Sequence, residues 1–444
     1  MVDLSSTQVV IIMFAAVLVT ILSGYPLFIC IGAVALIVGY LALGDPVFGL
    51  LRDRAIGLLT NYILLAVPLF VFMGTIVARS GAAERLYGGL YVWFGGFRGG
   101  LAIVTVLMGT ILAACVGVII ASVSMLGLVA LPGMMKRGYN KELACGSTCA
   151  GGTLGILIPP SIMLVIYGPM AQISVGQLFM AAIVPGLVLS GLYVLYIAIS
   201  CWLKPHWAPP VPIEERAAPL PKKIIVLITG VLPPLFIIFS VLGTIFLGIA
   251  SPTEAAAVGC FAGLILAAIY RQLNFQILKE VTLQTMQVSC MALMIGASAF
   301  MFTGVFLRLG GDEAIRNLIV TAPLGKWGIF ALIMAILFVL GMFIDWLGIL
   351  FVMVPLITPI GETLGFHPLW FAMMICVNLQ MSFLTPPFAY AIFFLRGLTR
   401  PEWGIETGHI IRGVIPFVLL IMVGLGLCIA FPELILWLPG MMIK

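Results

Sequence analysis

The sequence predicts an all-α, polytopic membrane protein, and three observations carry that expectation. Hydrophobic residues make up 63% of the chain and charged residues only 8%, against roughly 25% charged in a soluble domain. Mean hydropathy is +1.26, so too few charges exist to build a water-facing surface. The apolar runs are long and continuous rather than alternating with period two, which excludes a membrane barrel and leaves helices as the spanning element.

Spanning segments are expected near 8–43, 58–78, 101–131, 143–203, 224–270, 286–307, 328–360, 370–395 and 410–438. Several exceed one crossing of about 20 residues, so the range is roughly ten to fourteen membrane segments. Leu143 to Leu203 contains no charged residue and must hold at least two passes. The opening Met-Val-Asp-Leu-Ser-Ser lacks a basic stretch and a small-residue cleavage site, so the first helix is expected to be retained. The nine cysteines fit no metal spacing, and Cys145 and Cys149 read as packing residues on a small-residue helix. A net charge of +5 is ordinary for basic membrane loops and implies no nucleic acid.

One long polar connection, Lys204 to Lys223, sits near mid-chain and includes His206, Glu214, Glu215, Arg216 and Lys222. It divides the chain into a first repeat at 1–203, a linker at 204–223 and a second repeat at 224–444. Arg52, Arg54, Lys136, Arg137, Lys141, Arg271, Lys279, Arg308, Arg396 and Arg400 are spread too evenly for the positive-inside rule to orient the chain.

The halves share a pattern. Leu131-Pro132, Gly138-Tyr139 and Pro159-Pro160 in the first answer to Val354-Pro355, Gly365-Phe366 and Pro386-Pro387 in the second. The glycine–aromatic pair precedes the double proline by 21 residues in both. A double proline breaks a helix, because each proline lacks an N–H and clashes with the preceding turn. The alternative is a pair of harmless kinks. Broken helices at matching positions of two halves are the pattern of secondary transporters, whose half-helix ends bind ions and anionic groups.

The residues before each break suit that reading. Gly146-Ser-Thr-Cys-Ala-Gly-Gly-Thr153 is small and polar, serving either helix packing or oxygen ligation. Asn378 and Gln380, with Thr385 following, lie in an apolar span and read as ligand or cavity residues. Upstream, Leu101–Leu131 has Gly117 near its centre, then Ser122 and Ser124; Phe330–Pro359 carries Gly341, Asp345 and Gly348. Each fits a re-entrant helical hairpin. Asp345 is the only acid in its stretch and reads as a cation or proton group, or else as an interfacial residue beside Trp346. Glu254, in Ser251-Pro-Thr-Glu254, reads as half of a capping box.

These motifs resemble the large membrane subunit (DctM type) of tripartite ATP-independent periplasmic (TRAP) transporters. The residues that carry the resemblance are 152–161 (GTLGILIPPS), 251–259 (SPTEAAAVG), 378–388 (NLQMSFLTPPF), and Leu-Pro with Lys-Arg-Gly-Tyr within 131–139. The resemblance implies an inverted-repeat, elevator-type fold with two re-entrant hairpins and two broken helices. It implies sodium-coupled import of a small organic anion across the bacterial inner membrane. A periplasmic solute-binding protein would deliver the solute, and a small four-helix membrane subunit, expected as a separate polypeptide, would brace the scaffold.

Carried over, one Na+ site falls around Gly117, Ser122, Thr153 and Gly155. The other falls around Gly341, Asp345, Asn378, Gln380 and Thr385. Solute contacts are expected at Ser122, Ser124, Thr153 and Asn378. The first hairpin tip departs from the serine- and glycine-rich pattern of many relatives, reading Val116-Gly-Val-Ile-Ile-Ala-Ser122. That would leave its sodium site leaning on backbone carbonyls. A standalone sodium–anion symporter of related fold is the rival reading. An enzyme would need clustered acids or histidines, whereas His206, His367 and His409 are scattered. A channel would need a ring of selectivity groups.

Overall fold

The computed structural model describes residues 5–212, 214, 219–321 and 323–442; Met1–Leu4, and Glu215 and Arg216 of the expected linker, lie outside the described residues. Among the described residues every regular element is helical. Eight helices of at least 18 residues are apolar enough to cross a membrane, or nine if one bent pair counts as a single span. Five shorter apolar helices accompany them, so ten or more membrane segments are reached only when these are included.

The chain begins with α1 (Ser6–Leu22), α2 (Leu27–Leu43), the amphipathic α3 (Pro46–Leu59), α4 (Ala66–Arg79) and α5 (Ala82–Phe94). Next come α6 (Gly100–Val116), α7 (Ile119–Val129) and α8 (Leu131–Lys136). The first broken helix is α9 (Lys141–Leu157) with α10 (Ile162–Ala171), and α11 (Val175–Leu203) follows. Beyond the linker lie α12 (Leu220–Phe246), α13 (Pro252–Ile269), the 34-residue α14 (Phe275–Arg308) and α15 (Gly311–Thr321). A second series repeats the earlier one: α16 (Gly325–Gly341), α17 (Trp346–Thr363), α18 (Pro368–Ser382), α19 (Tyr390–Leu398), then α20 (Thr407–Ala430) and the single turn α21 (Glu433–Leu436).

Both expected hairpins form. Gly151 of α9 touches Thr105 and Val106 on α6 and also Leu126 on α7, so the chain goes out and returns along one partner. In the second half Phe371 of α18 meets Phe330 on α16 and lies over Gly361 on α17. The outgoing arms α6 and α16 are each 17 residues long. The return arms, 119–136 and 346–363, are each 18. The tips differ: two residues, Gly117 and Val118, in the first, but four, 342–345, in the second. A reversal in two residues requires a left-handed backbone, and Gly117 supplies it at φ +62°.

The broken helices sit in the most enclosed part of the fold. Every residue from Leu143 to Leu157, and from Leu369 to Ser382, is buried. α9 packs between α6, α7 and α20, while α14 lies against α2, α3, α4 and α17. Ser251 and Glu254 form the expected capping box at the start of α13. Cys145 and Cys149 are buried and free, and the Cys149 thiol donates to the Ala391 carbonyl. The linker's first part is not a free polar strand. Val211 donates to Gly95 O (2.8 Å), Gly99 to Ala208 O (3.2 Å) and Asn140 to Trp207 O (2.7 Å), pinning it to the turns before α6 and α9.

The contact of α9 with α20 is made glycine against glycine. A Cβ on Gly146 would strike the Gly413 carbonyl, and one on Gly413 would strike the Glu142 carbonyl. Gly146→Leu should therefore destabilise the protein by about 1–3 kcal/mol, read as a fall of several degrees in the melting temperature in detergent. Gly191 of α11 has open space around its Cβ position, so Gly191→Leu should leave the melting temperature unchanged. Equal melting of the two variants would contradict this packing.

Candidate functional site

The first break is set up by Gly138 at φ +68° and by Asn140, whose Oδ1 accepts from Leu143 N (2.9 Å) to start α9. α9 then runs to Leu157 and stops at Pro159-Pro160, beyond which α10 leaves at an angle of 41°. Neither proline has an N–H, so the carbonyls of Gly155 and Ile156, four residues back, lose their helical donors. The Ser161 hydroxyl donates to Ile156 O. Among the described residues no donor from outside α9 takes up Gly155 O.

The hydroxyls of α9 are turned along their own helix. Ser147 and Thr148 donate to Ala144 O (3.1 and 2.8 Å), and Thr153 donates to Ala150 O (3.0 Å). Their oxygens keep accepting capacity but have no proton to offer a ligand. Ser122, on the hairpin arm packed against α9, is buried with no partner for its hydroxyl among the described residues, while Ser124 is half-buried.

The second break is held more tightly to its hairpin. Asn378 Nδ2 donates to Met334 O (2.9 Å), Ser382 Oγ approaches Phe338 O (3.5 Å), and the Ser382 side chain fills the space beside Gly341. Past the prolines, Phe388 N donates to Met342 O (3.0 Å), fastening this segment to the hairpin tip. Thr385 Oγ1 donates to Met381 O (2.6 Å). Gln380 is buried, and neither its amide nitrogen nor its amide oxygen has a partner among the described residues. Met334 lies seven residues before Gly341, or about 10 Å along the helix. The amide of Asn378 is thus engaged well below the tip where Gly341 and Asp345 lie.

The two halves meet in a cavity of about 340 Å³. Val118, Ile119 and Ile120 of the first tip line it, together with Ile162, Tyr390, and Asp345, Trp346 and Leu347 of the second tip. α14 closes one side with Val288, Met291, Ala292 and Ile295. Pro26, Leu27 and Phe28 also line it, so five helices begin at this space: α2, α7, α10, α17 and α19. Their first N–H groups and their dipoles favour an anion. Among the described residues Asp345 is the only charged one in the lining, and no Lys, Arg or His borders it. Its carboxyl lies beside the Trp346 and Leu347 N–H groups and the Tyr390 hydroxyl.

The expected residues thus fall into separate environments. Gly117 forms the first tip, and Ser122 and Thr153 lie on the arm and helix beneath it. Asp345 faces the central cavity, while Asn378 and Gln380 lie inside the surrounding helices. Tyr390 and Val118 were missing from the sequence reading. Tyr390 could have been found as the first polar residue after Pro386-Pro387. Val118 is the residue just before the first return arm, where Asp345 stands in the second, but the longer second tip hides that register.

A family model described as "Tripartite ATP-independent periplasmic transporter, DctM component" matches residues 14–434. The chain is 31% identical over 382 residues to the C4-dicarboxylate TRAP transporter large permease protein DctM of Pseudomonas aeruginosa, covering 86% of this chain and 87% of the relative. It is 28% identical to the sialic acid TRAP transporter large permease protein SiaM of Vibrio cholerae, over 87% of this chain and 88% of that one. The crystal structure of the Alcanivorax borkumensis YdaH transporter, described as having an unusual topology, superposes with a TM-score of 0.63 at 16% identity. That match covers 89% of this chain and 91% of the other, and it shows a shared fold.

An unpartnered buried amide costs stability of roughly 1–3 kcal/mol. Gln380→Met, which keeps the shape and removes both polar atoms, should therefore raise the melting temperature by a few degrees. A fall would mean that the protein itself satisfies the amide.

Proposed function

This chain belongs to the DctM components of the tripartite ATP-independent periplasmic transporters, and from that premise we propose that it imports a small organic anion by coupling to sodium. The family consists of transporter permease components and not enzymes. The proposed solute is a dicarboxylate, keto acid or sugar acid, which fits the C4-dicarboxylate and sialic acid named for the relatives. A periplasmic binding protein would deliver it, a small four-helix membrane subunit would brace the scaffold, and the assembly would sit in the bacterial inner membrane. The two hairpins and broken helices would move as one body, in the manner of an elevator.

One observation carries the reading: five helix N-termini surround a cavity whose only charged side chain among the described residues is Asp345. Each N-terminus is worth roughly half a positive charge. Five give roughly +2.5, and the Asp345 carboxylate brings the sum to about +1.5. A dicarboxylate would leave the site negative, and with no lysine or arginine in the lining a mobile cation must supply the balance. Sodium suits the donors available, which are hard oxygens: the Gly155 carbonyl freed by the double proline, the Ser122 hydroxyl and the Gln380 amide oxygen. The first two would serve the sodium site of the first half and Gln380 that of the second, to which Asp345 would add its charge from the cavity side.

Proteoliposomes holding the chain and its small membrane subunit should take up the anion only with an inward sodium gradient and the cognate binding protein outside. Uptake without sodium would sink the coupling, and uptake without the binding protein would favour the standalone symporter. Asp345→Asn and Gln380→Ala should each raise the sodium concentration for half-maximal uptake by about 10- to 100-fold, the loss of one charge-assisted contact. An unchanged sodium curve in both, with normal melting, would remove these residues from the site.

A further inference from the structure

The second cavity of consequence lies far from the hairpin tips, where α3 crosses the end of α14. It has a volume of about 630 Å³ and is walled by Leu43, Pro46, Leu50 and Leu307, with Arg54 and Arg308 as its charged members. We propose that it binds the phosphate headgroup of an anionic phospholipid, with the acyl chains leaving along the leucines.

The site is built rather than incidental. The Arg54 side chain lies across Gly304 of α14, where a Cβ would come within 2.8 Å of its Cγ and 3.0 Å of its Nε. Arg308 stands four residues further along α14, so both side chains share one helix face. Neither guanidinium has a carboxylate partner among the described residues; Asp53, the acid nearest in sequence to Arg54, is paired with Arg52 at 3.0 Å. Two free guanidinium groups at one pocket match the oxygens of a phosphate better than any single cation does.

Position selects a lipid over a soluble anion. Arg308 is the last residue of a spanning helix. α3 is a 14-residue helix carrying Arg52, Asp53 and Arg54 between the buried Val47, Leu51 and Leu58 and the exposed Phe48, Ile56 and Leu59. That pattern places it in the membrane interface, at the depth of lipid phosphates. The other walls are apolar and suit glycerol and acyl carbons.

Native mass spectrometry of the full-length chain in mild detergent, titrated separately with phosphatidylglycerol, phosphatidylethanolamine and inorganic phosphate, tests the assignment. Phosphatidylglycerol should bind in preference to phosphatidylethanolamine, and millimolar inorganic phosphate should not displace it. Arg54→Gln and Arg308→Gln should each weaken phosphatidylglycerol binding about fivefold, and the double variant about 25-fold. Gly304→Val keeps both arginines but unseats Arg54, and should also cost about fivefold. Equal lipid binding by wild type and either single variant would overturn the proposal, as would equal affinity for phosphatidylethanolamine. Displacement by inorganic phosphate would make it a site for soluble anions and overturn the lipid.

Discussion

A backbone group in hydrocarbon has no water to fall back on, and the rest of this structure follows from how that requirement is met at two places. Pro159-Pro160 and Pro386-Pro387 interrupt helices inside apolar runs and take helical donors from the carbonyls there, those of Ser382 and Phe383 being taken up again by Thr385 N and Ala391 N. Such breaks survive only when protein encloses them. Accordingly α9 and α18 are buried along almost their whole length, α6 and α7 close on the first, and α16 and α17 close on the second. The hairpins act as the sheath that lets the broken helices exist, and their tips consequently arrive where the half-helices restart.

That arrival point is where two similar halves become chemically unlike. Both return arms are 18 residues long and begin at the central cavity. One is preceded by Val118 and leaves its first N–H groups uncapped; the other is preceded by Asp345. The first tip is thus suited to an anion, while the carboxylate at the second offsets the positive end of its own helix. Under the proposed function this asymmetry separates the anion from its cation. The hydroxyls of Ser147, Thr148 and Thr153 contribute less than their number suggests, because each donates back into α9.

Much of this was legible in the chain. Hydropathy alone required a helical membrane protein. The 21-residue spacing located both breaks, Gly117 and Gly341 marked the hairpin reversals, and Ser251 to Glu254 was readable as a cap because it is a local pattern. The site was only partly legible. Asn378 and Gln380 look alike in sequence, two polar residues in one apolar span. Yet Asn378 donates its amide nitrogen to Met334, whereas Gln380 has no partner among the described residues.

What the residues decided without help was periodicity, helix breaking and turn preference, all of which depend on neighbours within a few positions. What only the packed structure decided was which polar groups remain available once the helices have closed. That is a matter of contacts between segments far apart in the chain: Ser382 against Gly341, Phe388 against the second tip, Arg54 across Gly304. A side chain's chemistry is written in the sequence, but whether its hydrogen-bonding capacity is already spent depends on what the fold places beside it.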